Sequence, residues 1–500
     1  MIYVLTKKIL IANRGEIVLR IARTCEKLGL EPCGIYSDAD ATSLHVKYCR
    51  QSAKIGGRLP TESYLRMDKI IDAAKTLGCE LIHPGYGFLA ESLEFSQLCI
   101  KEGFIFVGPS PSALALSGDK ARAREVASEF APILEGKEVS TEADALSLAD
   151  KIGYPIILKA VRGGGGRGLR IVRSSTELSQ AFISSKNEAM FSFSSARLYI
   201  EKYLDNPRHI EIQILGDDSQ VIHLGERECS VQRRHQKLIE ETPSPVVTND
   251  LRQRMTKTAI EIMKKMKYNN AGTVEFLFKE GSFYFMEVNS RIQVEHPITE
   301  EVTGIDIVEQ QLRIATGEGL EIKQEDVVSR GHAIECRINS EHPISFVPFS
   351  GTITKFIPPD GRDVRIDTAL YSGYAIPPFY DSLIAKLICS GKDRSEAISR
   401  MKKALGSFRI SGIPTTIPFH ITALNDKRFL SGDYSTSFVD DLKPFSSKEG
   451  EIAAAILYHL PKSSHFLKEA EAVDPWMKSR FQEIKAFYAQ RDDLPSGWSK

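Results

Sequence analysis

The chain has 500 residues, roughly three ordinary domains' worth, and its 42% hydrophobic and 26% charged residues exclude a disordered or collagen-like protein. Lys and Arg number 65 and Asp and Glu number 65, so it lacks the basic excess of a dedicated nucleic-acid binder. No apolar run reaches the roughly 18 residues of a membrane span. The opening, MIYVLTKKILIANRG, returns to charge at Lys7 and Lys8, too soon for a secretion signal. The expectation is a cytoplasmic protein that binds neither nucleic acid nor membrane. The eight cysteines are scattered without a CxxC and the histidines without an HExxH, so buried free thiols are expected, not disulfides or a zinc site.

Through residue 117, apolar runs alternate with helical patterns. KKILIA leads into the turn NRGE and then EIVLRIARTCEKLG, where Ile17, Ile21, Thr24 and Leu28 fall on one helical face. EPCGIYS, ELIHPGYG and FIFVGPS read as further strands. Residues 1–117 are therefore expected to form a parallel α/β domain, with its functional loops at the carboxyl ends of the strands. Residues 118–205 read as a linker and a small lobe, in which YPIILKA and LRIV flank the glycine run RGGGGRG and RLYIEKYL adds a strand. From His209, HIEIQIL, QVIHLGE, GTVEFLF and FYFMEVN predict a large mixed or antiparallel sheet. IDTALY, LIAKLIC and a helix starting near Ser395 carry this 206–448 region onward. A helical tail, 449–500, places Trp476, Phe481, Ile484 and Phe487 at mostly three-residue spacings. Such a stripe either docks a partner or packs on its own domain.

Three segments could carry chemistry. Gly163, Gly164, Gly165, Gly166 and Gly168 leave backbone N–H groups unobstructed for phosphates, with Lys159 at the end of the preceding strand. A strand and not a helix follows, so this is neither a dinucleotide fingerprint nor a Walker loop. It is a nucleotide-covering hairpin tip or a flexible surface hairpin. The hairpin GTVEFLFKEGSFYFMEVNSR brings Glu275 beside Glu287, with Asn289 on the same face as Glu287. These hard oxygen ligands suit Mg²⁺ or Mn²⁺ unless the face is simply solvated. Arg291, Gln293 and Glu295 alternate onward from Asn289, as a strand sharing that face would. A carboxylate among guanidinium and amide donors can bind and deprotonate a small oxyanion, and a solvated edge strand is the other reading.

In order along the chain, KKILIANRGEIVLRI, IHPGYGFLAES, GYPIILKAVRGGGGRG, IEKYLDNPRHIEIQIL, GERECSVQRRHQK, FMEVNSRIQVEHPITE, ECRINSE and PPFYDSLIAKL resemble the biotin carboxylase family of the ATP-grasp superfamily, over residues 6–445. The resemblance implies an α/β ATP-grasp fold: an N-terminal parallel α/β domain, a mobile glycine-rich lid over ATP, and a C-terminal mixed or antiparallel sheet domain. It implies that Lys120 and Lys159 hold phosphates, that Glu201 and Lys202 meet the adenine, and that Leu204, His209, Gln232, His235 and Leu277 line the nucleotide site. Glu275, Glu287 and Asn289 would hold Mg²⁺ or Mn²⁺. Lys237, Arg291, Gln293 and the Val294 backbone would bind bicarbonate, Glu295 would deprotonate it, and Arg337 would stabilise the biotin enolate. Thr416 stands where the family usually has Asn, and Val161 and Arg162 replace smaller residues before the lid glycines.

The sequence carries no Ala-Met-Lys-Met biotin-attachment motif. The resemblance therefore implies a homodimeric subunit of an acetyl-CoA or propionyl-CoA carboxylase, acting on biotin borne by a separate biotin carboxyl carrier protein and working with a carboxyltransferase subunit. The alternative is a split pyruvate carboxylase. Another ATP-grasp ligase would not need RIQVEHP and ECRINSE together, and a non-catalytic subunit would be expected to lack Glu295, Arg337 or a metal ligand.

Overall fold

The computed structural model describes residues 7–160, 170–193 and 197–442. The glycine run 163–168, with Val161 and Arg162 before it, and the 449–500 tail lie outside the described residues. Near the N-terminus, five parallel strands lie in the order Gln51–Gly56, Glu31–Ser37, Lys8–Ile11, Leu81–His83, Ile105–Phe106. The helix Glu16–Lys27 buries Ile17, Val18, Ile21 and Cys25 against this sheet, the face its apolar spacing predicts. Two turns at the carboxyl edge are tied together by Asn13, whose Nδ2 donates to the Pro84 and Tyr86 carbonyls at 2.7 Å each. Gly85 has φ +65°, and a Cβ there would sit 2.8 Å from Asn13 Nδ2, so both backbone and space require glycine.

The small lobe is a four-stranded antiparallel sheet, Gly136–Val139, Leu198–Lys202, Ile156–Ala160, Arg170–Val172. Its helices Glu142–Ile152 and Ser175–Phe193 pack through Ala145, Ala149, Leu178 and Phe182. Ile156–Ala160 and Arg170–Val172 pair antiparallel, as expected of strands flanking the glycine run.

The large sheet has eight strands, and every pairing in it is antiparallel. Its order is Ser282–Asn289, Asn270–Lys279, Arg208–Gly216, Val221–Arg233, Gln236–Thr242, His332–Asn339, Leu383–Gly391, Val364–Thr368. Alternation in HIEIQIL does not separate core from water. Ile210, Ile212 and Ile214 face an apolar cluster, while His209, Glu211 and Gln213 are buried on the opposite face. That second, polar layer is the floor of the site.

Buried charge also anchors the sheet at its far end. Glu241 accepts from His332 Nε2 at 2.7 Å, from Arg394 Nε at 2.7 Å and from the Tyr434 hydroxyl. Burial alone would raise its pKa, but the His332 and Arg394 hydrogen bonds outweigh it and bring the carboxyl down from 4.5 to about 2. A depressed carboxyl contributes stability above its unfolded pKa and loses it as pH falls through the folded one. Glu241→Gln should cost about 3–5 kcal/mol in urea unfolding at neutral pH. It should also flatten the loss of stability that the wild type shows as pH falls from 4.5 to about 2.

Candidate active site

A cleft of about 3280 Å³ is lined by residues from all three sheets' regions, among them Tyr86, Lys159, Lys237, Glu287 and Arg337. At its floor Lys237 Nζ meets three buried carboxylates: Glu211 at 2.5 Å, Glu295 at 2.6 Å and Glu275 at 2.9 Å. Beneath it lies Arg227, wholly buried, whose guanidinium donates to Glu211 at 2.5 Å, Gln213 at 2.6 Å and Gln293 Oε1 at 2.6 Å. Arg337 closes the group, donating to Glu240 at 2.6 Å and to Glu295 Oε2 at 2.9 Å. Unpaired charges at such depth would be costly, and here Lys237 and Arg337 are each shared among carboxylates while Arg227 pairs with Glu211 and neutral oxygens.

The pairing sets the protonation states. Burial pushes the Glu295 carboxyl up, but Lys237, Arg337 and Arg227 outweigh it and hold the pKa well below the usual carboxylate range. Burial likewise opposes the Lys237 ammonium, and Glu211, Glu275 and Glu295 more than restore it. His209 Nε2 lies 3.0 Å from Glu275 Oε2, close enough for an ion pair but off the line of a hydrogen bond. Burial disfavours its charge, and Glu275 wins, leaving the imidazole pKa raised.

The segment after Asn289 departs from the expected strand. Extended pairing stops at the Thr273–Asn289 pair, and residues 290–295 form a loop that enters the helix His296–Thr303. Arg291, Gln293 and Glu295 thus share no pleated face with Glu287 and Asn289. Ile292, 0% exposed, drops into the apolar cluster of the N-terminal sheet and pulls the chain out of plane. Backbone ties replace the ladder: Ser290 N–H donates to Glu91 at 2.9 Å. Gln293, Glu295 and Lys237 still converge. Arg227 fixes the Gln293 oxygen, so its Nε2 donates to Glu275 at 2.9 Å. Arg291 reaches Asn289 Oδ1 at 2.9 Å and lies 3.1 Å from Glu91.

On the cleft's other side the residues expected around a nucleotide are present but differently engaged. Lys159 Nζ donates to Glu201 at 2.7 Å, and Arg124 holds the other Glu201 oxygen at 2.6 Å. Lys202 Nζ donates to the Gly153 and Tyr154 carbonyls at 3.0 and 3.1 Å. Lys120 opens the helix Lys120–Ser128 and lines the same cleft, as do Leu204, Gln232, His235 and Leu277.

Glu275 and Glu287 are direct register partners, near each other as the hairpin reading expects, through a one-residue register shift between Phe276 and Glu275 that passes over Met286. Burial and the charge of Glu275 raise the Glu287 pKa, with Lys120 and Lys159 partly compensating. This deficit of positive charge among oxygen donors fits a hard divalent cation. A further trio, His209, Glu211 and Glu275, brings its ligand atoms within 4.8 Å of one another, but there Lys237 already supplies the cation to both carboxylates.

Sequence reasoning missed Glu211, Arg227, Glu240 and Glu91. Glu211 was legible in principle: it alternates with isoleucines in HIEIQIL, at a position that water would have to reach if it were not functional. Thr416, the departure from the usual Asn, hydrogen-bonds the active-site strand. Its Oγ1 accepts from Asn339 N–H at 2.9 Å and donates to the Arg337 carbonyl at 3.1 Å.

Comparison with known proteins bears on the whole described region. Residues 5–114 match the family model described as the biotin carboxylase N-terminal domain. Residues 119–323 match the ATP-binding domain of the carbamoyl-phosphate synthase L chain, and 335–441 the biotin carboxylase C-terminal domain. A biotin carboxylase of Nostoc sp. is 50% identical over 441 residues, spanning 87% of this chain and 99% of that protein. The chain belongs to the biotin carboxylase family. A pyruvate carboxylase subunit of Methanothermobacter thermautotrophicus is 49% identical over 87% of this chain and 90% of its own length. Among solved structures, the Campylobacter jejuni biotin carboxylase–β,γ-ATP complex superposes with a TM-score of 0.85 at 46% identity, covering 87% of this chain and 98% of that one. The biotin carboxylase domain dimer of Hydrogenobacter thermophilus 2-oxoglutarate carboxylase, with MgADP, ADP and bicarbonate, also gives 0.85, at 45% identity over 87% and 97%. Biotin carboxylases are ATP-grasp ligases, and the parallel N-terminal sheet and antiparallel sheets here are the architecture expected of one.

Proposed function

We propose that this chain carboxylates biotin on a separate carrier protein, using ATP and bicarbonate, as the biotin carboxylase subunit of an acyl-CoA carboxylase. The observation that carries the chemistry is the convergence of Lys237, Glu295 and Arg337 beside Gln293 and Arg291. Bicarbonate is a poor nucleophile until it loses its proton. Lys237, Arg291, Gln293 and the Val294 backbone hold its oxygens, and Glu295 takes the proton from its O–H. The freed oxygen attacks the γ-phosphorus, the bond to ADP breaks, and carboxyphosphate results. Lys120 and Lys159 draw off the charge that grows on the phosphates. A divalent ion held by Glu275, Glu287 and Asn289 would supply Lewis-acid neutralisation there. Carboxyphosphate then yields CO₂ and phosphate; the phosphate takes the ureido proton, and the enolate, faced by Arg337, attacks CO₂. Glu201, Lys202, Leu204, His209, Gln232, His235 and Leu277 bind the nucleotide under the glycine lid, which requires Lys159 to leave Glu201 for phosphate.

We further read residues 1–117, 118–205, 206–448 and 449–500 as separate units, the protein as a homodimer in the cytoplasm, and its partners as a biotin carboxyl carrier protein and a carboxyltransferase. Among the described residues no helix is long and apolar enough to cross a membrane. The likeness to the Methanothermobacter pyruvate carboxylase favours a second reading, in which pyruvate is the acceptor. Both share the first half-reaction. The purified chain should hydrolyse ATP only with bicarbonate, and free biotin should stimulate it; ATP turnover indifferent to both removes the reading. Identification of the carboxyltransferase that co-purifies with the chain separates the two acceptors.

A further inference from the structure

Lys386 lies mid-strand in Leu383–Gly391 and is 0% exposed. An ammonium so placed must be fully partnered. Its Nζ donates to the Val294 carbonyl at 3.0 Å, and lies 3.1 Å from Glu16 Oε1 and 3.7 Å from Asp367 Oδ2. These contacts come from three parts of the chain: the 290–295 loop, the first turn of Glu16–Lys27, and the neighbouring strand Val364–Thr368. Neither counter-charge is free to follow the lysine elsewhere. Glu16 also accepts from the Tyr86 hydroxyl, and Asp367 is held by Arg365 at 2.9 Å. Burial opposes the ammonium, but Glu16 and Asp367 outweigh it and keep its pKa above the ordinary lysine value, so it remains a charged donor. On its own sheet Lys386 is the register partner of Arg337.

We propose that Lys386 is a positioning residue for the oxyanion site, gripping the Val294 carbonyl so that the peptide joining Val294 to Glu295 is held in one plane. The inference rests on the bicarbonate reading of this loop. A carbonyl fixed in space restricts ψ of Val294 and φ of Glu295 together, because the peptide unit is rigid. Val294 N–H and the Glu295 carboxylate are therefore aimed by one bond. Arg227 secures the residue before, through the Gln293 side chain. Without Lys386, nothing else among the described contacts of the Val294 carbonyl replaces this grip. A lysine that served only to neutralise Glu16 and Asp367 would affect stability and leave bicarbonate binding alone.

Steady-state ATP hydrolysis by the full chain, with bicarbonate and ATP varied separately, distinguishes these roles. Lys386→Met should raise KM for bicarbonate about tenfold or more, the loss expected of a charged hydrogen bond, with KM for ATP nearly unchanged. Lys386→Arg, which keeps charge and donor, should restore most of the difference. A folded Lys386→Met with a lowered melting temperature and an unchanged bicarbonate KM overturns the proposal. Glu16→Gln, nearly isosteric, provides a second reading should the methionine variant fail to fold. It strips Lys386 of its nearer counter-charge and should raise the bicarbonate KM about threefold, in the range of long-range couplings; no change there overturns the proposal too. A wild-type chain whose ATP hydrolysis ignores bicarbonate would remove the functional reading itself. Bicarbonate-dependent wild type with unresponsive variants removes only the role of Lys386.

Discussion

Glu295→Gln is expected to lower bicarbonate-dependent ATP turnover by roughly 10²–10⁴-fold, the usual contribution of a positioned general base, with ATP binding retained. The amide keeps the shape and cannot accept the proton. It also replaces one oxygen that now faces Lys237 or Arg337, so one cation loses an acceptor and the pocket loosens locally. The Glu295 carboxylate, the proposed base, is held far below the normal carboxylate pKa, which makes it weak while Lys237 and Arg337 lean on it. On the proposed mechanism its basicity should rise as an incoming oxyanion draws Lys237 toward itself, which would couple deprotonation to binding. Protonation of this carboxylate should accordingly cause no loss of rate at any pH near neutrality. A variant within a few-fold of wild type, with unchanged bicarbonate dependence, removes Glu295 from the mechanism.

Much of this arrangement is legible in the sequence. Alternating apolar runs locate the parallel sheet, and the Lys-Glu-Gly-Ser turn brings Glu275 near Glu287, although the turn's own register points Glu275 at Met286 and a one-residue shift between Phe276 and Glu275 makes Glu287 the partner. Two things are hidden for physical reasons. Periodicity in Arg291, Gln293 and Glu295 resembles a strand, yet a two-residue repeat only signals pleating where a partner strand exists, and buried Ile292 takes the chain elsewhere. Polar residues alternating with isoleucines in HIEIQIL resemble a solvated face. They line a buried ionic layer instead, since burial of Glu211 is tolerable only because Arg227 and Lys237 arrive from the next two strands, Val221–Arg233 and Gln236–Thr242. Pattern within one segment shows which face a residue takes. It does not show what other segments place opposite that face, and in this enzyme that is where the cations come from.

Arg337→Ala is expected to reduce carboxylation of biotin by about 10²–10³-fold, the usual loss for one donor to a developing oxyanion, while bicarbonate-dependent ATP hydrolysis falls far less. The two activities should separate because the proposed mechanism assigns carboxyphosphate formation to Glu295 and Lys237, and their 2.6 Å contact does not pass through Arg337. Folding should survive the truncation. Glu240 is the partner left behind; burial has already raised its pKa to about 7, with Arg337 opposing the rise and Glu295 adding to it. Once Arg337 is gone the carboxyl moves higher still and takes up a proton near neutral pH, so no bare charge remains in the sheet. The strand itself stays anchored through the Arg337 carbonyl, which accepts from Thr416 at 3.1 Å and pairs with His420 Nε2 at 2.7 Å; alanine keeps both. ADP release with bicarbonate alone and carboxybiotin formation, measured on the same preparation, read the separation directly. Equal losses in both would move Arg337 out of the enolate role and into the bicarbonate site, where its 2.9 Å contact with Glu295 would be its function.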